Sequence, residues 1–140
     1  MYLQTKKKQT YAYTGARPHQ KGLESVVFVH GTGMDHTVWV LPARYFARHR
    51  FNVLATDLPG HGRSEGPPAK TIEDMSDAVL AAMDAAKIRT AALVGHSMGS
   101  LVTLALAARY PERARSLALI GTAVPMAVHK SLLSSAAKND

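Results

Sequence analysis

A single serine framed by two glycines is the feature of this sequence that most directly indicates chemistry. Residues 95–99 read Gly-His-Ser-Met-Gly, with an apolar run before them and an alanine- and leucine-rich stretch after them. This order predicts a strand, a very tight turn and a helix, with Ser97 at the turn. Ser97 would then lie at a helix N-terminus, where the Met98 N–H and the helix dipole can face a developing negative charge. Such a serine is suited to nucleophilic attack on a carbonyl group.

Two less reactive roles are open to residues of this motif. Ser97 could be an ordinary helix N-cap, because serine is a favoured capping residue. A cap does not require glycine on both sides, whereas a strained serine squeezed between a strand and a helix does. His96 is next to Ser97 in sequence, but adjacent side chains diverge on a sharp turn, so we expect a turn or packing residue rather than a base.

Two further loops are expected at the same edge of a sheet. His30-Gly31-Thr32-Gly33 ends the β-branched run 25–30, and the stretch 57–64 (DLPGHGRS) ends the apolar run 51–56. Open α/β sheets place their ligands at the carboxyl ends of such strands. Asp57 and His61 stand among glycines and proline, so we expect a structural turn there rather than catalytic groups.

Composition excludes several classes of function. The chain has 140 residues, 46% of them hydrophobic, and no cysteine, which removes disulfides, thiol nucleophiles and thiolate metal sites. Its histidines are scattered, so we expect no metal site. The formal net charge is +7, but residues 1–21 hold five basic residues and no acid. A solvated basic hairpin explains this better than nucleic-acid binding. No membrane span or signal peptide is apparent, which predicts a cytoplasmic location.

The remaining pattern predicts a hairpin followed by alternating strands and helices. The hairpin covers 2–5 and 9–14, and the later strands cover 25–30, 51–56, 91–94 and 116–120. Helices are expected from 38 or 41 to 49, from 72 after a Thr71 cap, and from the serine turn to Pro111. This alternation predicts an α/β fold, a three-layer sandwich with a mostly parallel sheet. The dinucleotide motif G-x-G-x-x-G is absent.

With these three loop motifs in this order, the chain resembles the N-terminal half of an α/β-hydrolase fold enzyme of the esterase, lipase and enol-lactonase branches. The resemblance implies that Ser97 is the nucleophile and that the backbone N–H groups of Thr32 and Met98 form the oxyanion hole. It implies a small ester, thioester or lactone as substrate and no cofactor.

A substrate pocket is expected next to the oxyanion loop. Gly33, Met34 and Trp39 could line it, although Met34 and Trp39 could equally pack in the core or on the surface. The shared motif also suits C–C bond hydrolases and cofactor-free perhydrolases. A non-catalytic binding module that kept the serine turn is a further alternative.

The end of the chain departs from the family's pattern. The family order is serine, acid, histidine, with the acid usually after the seventh strand. Here the sequence stops after a sixth strand, His129 is the only histidine beyond Ser97, and Asp140 follows it in the wrong order. We therefore expect residues 1–140 to be the N-terminal part of one domain, without the triad acid and base. Either the rest of a longer enzyme, of which this chain is a fragment, or a complementing C-terminal polypeptide would supply them, and residues 126–140 would begin a cap segment.

Overall fold

Residues 1–5 and 8–138 are described by a computed structural model, which places a six-stranded sheet between helices. Lys6 and Lys7 of the basic hairpin, and Asp140, lie outside the described residues. The strand order is β1-β2-β4-β3-β5-β6. The strands are β1 (Tyr2–Gln4), β2 (Gln9–Tyr13), β3 (Ser25–Val29), β4 (Asn52–Thr56), β5 (Ala91–His96) and β6 (Ala114–Ile120).

The N-terminal hairpin forms one edge of the sheet, as predicted. β1 pairs antiparallel with β2, and β2 pairs antiparallel with β4, with Ala12 opposite Thr56. The hairpin also contacts the loop after β4, since the Tyr11 N–H donates to Ser64 Oγ at 2.9 Å and the Tyr11 carbonyl accepts from the Asp57 N–H at 2.9 Å. The hairpin is thus joined both to the sheet and to a loop at its carboxyl edge.

The four remaining strands are parallel, and helices cover both faces of the central pair. β3 and β4 are buried at every position. Val27 and Val29 pack in the layer that contains α2 and α3, whereas Val26 and Phe28 pack in the layer that contains α1. Because successive side chains of a strand point to opposite faces, this run without polar alternation is a strand with helices on both sides. The three-layer α/β fold is confirmed.

The helices begin and end close to the predicted positions. They are α1 (Val40–Arg48), α2 (Ile72–Ala85), α3 (Met98–Arg109) and α4 (Lys130–Lys138), with a 3-10 turn over His36–Trp39 before α1. The Thr71 hydroxyl caps α2 by accepting from the Asp74 N–H at 3.0 Å. None of the helices in the described part of the chain is long and apolar enough to cross a membrane.

The edge opposite the hairpin is formed by β6, which is exposed along most of its length. Leu117 and Leu119 are each 39% exposed and Ile120 is 46% exposed. Within residues 1–5 and 8–138, no strand pairs with the outer side of β6. Unpaired backbone groups beside apolar side chains can pair with another chain.

We predict that the polypeptide 1–140, purified alone, associates through β6. Leu119→Lys should shift it towards the monomer, because a charged side chain on an edge strand opposes edge-to-edge pairing. Size-exclusion chromatography with light scattering measures both. A monodisperse monomer of the unmutated polypeptide at micromolar concentration would contradict the prediction.

Candidate active site

Three loops follow the carboxyl ends of the three central strands. They are the β3 loop (residues 30–35), the β4 loop (residues 57–71) and the elbow (residues 95–99), which joins β5 to α3. Because these strands are parallel neighbours, their carboxyl ends lie at one edge of the sheet. The motifs singled out in the sequence are therefore brought together here.

Ser97 adopts a backbone conformation that normally requires glycine. Its φ is 53° and its ψ is −121°, values typical of the first central residue of a type II′ turn. Ser97 is the N-cap residue of α3, but its side chain makes no capping hydrogen bond. Its N–H donates to the Ile120 carbonyl at 2.9 Å. The hydroxyl is therefore not used as an ordinary cap would use it.

The flanking glycines have a steric reason. A Cβ on Gly95 would lie 2.6 Å from Ser100 Cα and closer still to the Gly99 carbonyl. A Cβ on Gly99 would lie 2.5 Å from the His30 carbonyl oxygen and closer still to that of Val29. Real Cβ atoms do not approach backbone this closely, so both positions require glycine.

The β3 loop lies against the elbow. A Cβ on Gly31 would be 3.2 Å from Ser97 Cβ, and the Thr32 hydroxyl contacts Met98 Sδ at 3.4 Å. Met98 begins α3, so its N–H has no intrahelical acceptor. Among the described residues, the N–H groups of Thr32 and Met98 have no hydrogen-bond partner. Free N–H groups of this kind can bind an oxyanion where they converge on one point.

His30 is buried and holds two backbone segments together. Its Nε2 accepts from the Leu58 N–H at 3.0 Å, so the ring hydrogen is on Nδ1, which donates to the Gly31 carbonyl at 2.8 Å. Burial lowers the pKa of His30 and the neighbouring His61 adds to this effect, although the hydrogen bond to Gly31 opposes it. The imidazole is therefore neutral and part of the structure.

Asp57 is the centre of the β4 loop. Its side chain is fully buried and accepts hydrogen bonds from the N–H groups of His36 and Arg63 at 2.6 and 2.9 Å. His36 Nδ1 adds a third donor, at 2.9 Å. The sequence analysis assigned no role to His36, and its separation of 21 positions from Asp57 leaves no local signal for the pairing.

The same region contains three side chains with the spacing of a metal site. Ligand atoms of Asp35, His36 and Asp57 lie within 4.8 Å of one another. Asp57 already accepts three hydrogens, and Asp35 accepts from both the N–H and the hydroxyl of Thr37. These hydrogen bonds account for the cluster without an ion.

The other predicted residues lie at different depths. Gly33 and Met34 are exposed at the tip of the β3 loop. Trp39 is only 7% exposed and packs against Phe28, with ring centroids 5.1 Å apart, so it lies in the core layer. Its Nε1 has no hydrogen-bond partner. Of the roles left open for Trp39, which were lining a pocket and packing in the core or on the surface, the structure shows packing in the core.

His96 precedes Ser97 and His129 follows it in the sequence, and each contacts residues other than Ser97. His96 is half-buried beside Gly31. His129 is exposed, and its Nδ1 lies 2.7 Å from the hydroxyl of Ser131, at the start of α4.

A cleft of about 780 Å³ lies at the amino ends of the strands, where Ser25, Asn52 and Thr90 contribute to its wall. None of the three loops lines it, so we place the candidate active site at the elbow.

We predict that Gly99→Ala strongly destabilises the full-length protein. By full-length protein we mean the complete product of the gene that encodes this chain. The new methyl group must displace the end of β3 or the first turn of α3, at or above the usual cost of about 1–3 kcal/mol for overpacking. Urea unfolding followed by circular dichroism measures it.

Gly22→Ala is the matched control for this change. Gly22 has a φ of +86° but nothing within 4 Å of an added Cβ, so only backbone strain of about 1–2 kcal/mol is expected. Equal losses in the two variants would show that the close approach at Gly99 is unimportant.

We predict that the folded protein loses stability in mild acid through His30. The unfolded chain takes up a proton near the ordinary pKa of 6.5, whereas the folded pKa is lower. The contribution of His30 to the free energy of unfolding is therefore complete above about pH 6.5. It falls as the pH decreases towards the pKa of His30 in the folded protein. The free energy of unfolding of His30→Gln should depend less on pH between 7.5 and 5 than that of the unmutated protein.

Comparison with known proteins agrees with this architecture. A family model described as alpha/beta hydrolase fold matches residues 24–139. The dihydrolipoyllysine-residue acetyltransferase component of the acetoin cleaving system of Pseudomonas putida is 40% identical over 104 residues, 74% of this chain and 28% of that protein. The pimeloyl-acyl-carrier protein methyl ester esterase of Proteus mirabilis is 32% identical over 111 residues, 79% of this chain and 41% of that protein.

A solved structure extends the agreement to three dimensions. The enol-lactonase from Burkholderia xenovorans LB400 matches with a TM-score of 0.75 and 31% identity, over 84% of this chain and 45% of that one. The chain thus spans less than half the length of each of these three relatives. Since the family model covers most of its residues, the chain belongs to the alpha/beta hydrolase family.

Proposed function

We propose that the protein containing this chain is a serine hydrolase of small esters, thioesters or lactones, with Ser97 as its nucleophile. The observation that carries the proposal is the backbone of Ser97, which is held in a glycine-like conformation between Gly95 and Gly99. Strain of this kind costs about 1–3 kcal/mol and persists where the surrounding structure enforces it. A simple helix cap does not need it.

The reaction that suits this geometry is acyl transfer. Ser97 Oγ attacks the substrate carbonyl carbon, its proton passes to a base, and the carbonyl oxygen becomes an oxyanion. The N–H groups of Thr32 and Met98 would donate to that oxyanion. Collapse expels the alcohol or thiol, which takes the proton, and water then hydrolyses the acyl-enzyme.

We propose that the base comes from outside residues 1–140, either from further sequence of the same polypeptide or from a complementing C-terminal polypeptide. His30 and His36 are held by Leu58 and Asp57, and His129 is paired with Ser131. The similarity to an esterase and an enol-lactonase supports an ester or lactone substrate. Since the chain covers less than half of either protein, the substrate itself is left at the level of its chemical class.

We predict that Ser97→Ala in the full-length protein lowers kcat for p-nitrophenyl butyrate by about 10⁴-fold or more, because the attacking hydroxyl is gone. Labelling by a fluorophosphonate probe should disappear with it. Ser116→Ala is the matched control, since Ser116 is exposed on β6 and should leave both readouts unchanged.

Two outcomes would contradict the proposal. Retained activity in Ser97→Ala would show that another group is the nucleophile. If the unmutated full-length protein neither hydrolysed a panel of esters, thioesters and lactones nor reacted with the probe, a non-catalytic binding module would be the better interpretation.

A further inference from the structure

The β3 loop has little packing of its own around the candidate oxyanion donor. Residues 32–34 are exposed, and a Cβ added at Gly33 would have nothing within 4 Å. Besides the contacts of Gly31 and Thr32 with the elbow and the hydrogen bond from the Met34 N–H to the Gly31 carbonyl at 3.3 Å, the position of the Thr32 N–H depends on the two ends of the loop.

Both ends of the loop are bonded to adjacent residues of the β4 loop. At the first end, the Leu58 N–H donates to His30 Nε2 at 3.0 Å. At the second end, the carboxylate of Asp57 accepts from the N–H of His36 at 2.6 Å and from its Nδ1 at 2.9 Å. Two consecutive residues thus hold the β3 loop on either side of Thr32.

The Asp57 end has the features of a rigid support. The carboxylate is fully buried and accepts a third hydrogen bond, from the Arg63 N–H at 2.9 Å. Gly62 lies so close that a Cβ there would be 2.5 Å from Asp57 Cγ. The His36 ring is itself buried against Tyr11, with centroids 4.8 Å apart. Hydrogen bonds to a buried carboxylate are short and strong, so this contact resists displacement.

We propose that His36 and Asp57 form a positioning pair, which fixes the β3 loop so that the Thr32 N–H meets the oxyanion of the transition state. This inference rests on the proposed function. It assigns to His36 a role that neither its position in the sequence nor the elbow motif indicates. Neither residue touches the substrate in this proposal, and both act through the backbone of the loop.

The consequence for the reaction is specific. A displaced oxyanion donor weakens the transition state while leaving the neutral substrate nearly unaffected, so kcat falls and KM does not change. Loss of one donor costs about 10²–10³-fold, and a donor that is only misplaced should cost less.

Two substitutions of His36 separate its hydrogen bond from its packing. His36→Phe keeps a ring against Tyr11 and the backbone N–H donor, but it removes the Nδ1 donor to Asp57. His36→Asn removes the ring but can place an amide N–H where Nδ1 was. In the full-length protein, we expect His36→Phe to lower kcat for p-nitrophenyl butyrate about ten- to a hundred-fold, with KM within about twofold. We expect kcat and KM of His36→Asn to be within about threefold of the values for the unmutated protein.

A transition-state analogue and a stability control complete the experiment. Phenylboronic acid, which forms a tetrahedral adduct with an active-site serine, should bind His36→Phe more weakly by the same factor as the loss in kcat. Val79→Ala, in the buried face of α2, is the control for lost stability without a change at the loop. It should lower Tm but not kcat at 25 °C.

The results can overturn this inference without overturning the proposed function. If Ser97→Ala is inactive but His36→Phe keeps its kcat, the positioning role is wrong and the nucleophile assignment stands. The inference is also wrong if His36→Asn loses more activity than His36→Phe, because ring packing would then be what matters. If His36→Phe does not fold, the same criteria apply to His36→Leu, which also lacks a side-chain donor and, like His36→Asn, has no ring.

Discussion

The space between the end of β3 and the first turn of α3 admits no side chain at position 99, and the arrangement of this edge depends on that constraint. Because Gly99 has no Cβ, the helix can lie directly on the carbonyl groups of Val29 and His30. This close approach brings the N-terminus of α3 next to the β3 loop. The backbone at Ser97 must then turn sharply, which explains why a serine accepts a φ of 53°.

Buried polar groups hold the loops around this turn. Burying an ionised carboxylate is costly unless hydrogen bonds replace its hydration, and three donors do so at Asp57. His30 meets the same requirement as a neutral ring that donates from one nitrogen and accepts at the other. The carboxyl edge of the sheet therefore combines an apolar core with loops whose buried polar groups are hydrogen-bonded.

The sequence predicts much of this fold, because the signals for its elements are local. Buried strands without polar alternation, a threonine cap before α2 and a proline after α3 each mark an element by its own residues. The serine turn is equally local, since Gly95 and Gly99 lie two positions from Ser97. The pairing of His36 with Asp57 could not be predicted, because it depends on how two loops pack. The burial of Trp39 likewise depends on Phe28, which belongs to another element.

The N-terminal hairpin is more than the border of the sheet. Its Tyr11 bonds through both backbone groups to residues of the β4 loop, and Gln9 bonds in the same way to Glu65. The hairpin of β1 and β2 thus supports the β4 loop, which in turn holds the β3 loop. A substitution or a fusion partner that shifts this hairpin would also shift the β4 loop, and with it the β3 loop beside Ser97, without changing any residue of the elbow. The position of the β4 loop therefore depends on Gln9 and Tyr11, which are more than 80 positions from the elbow in the sequence.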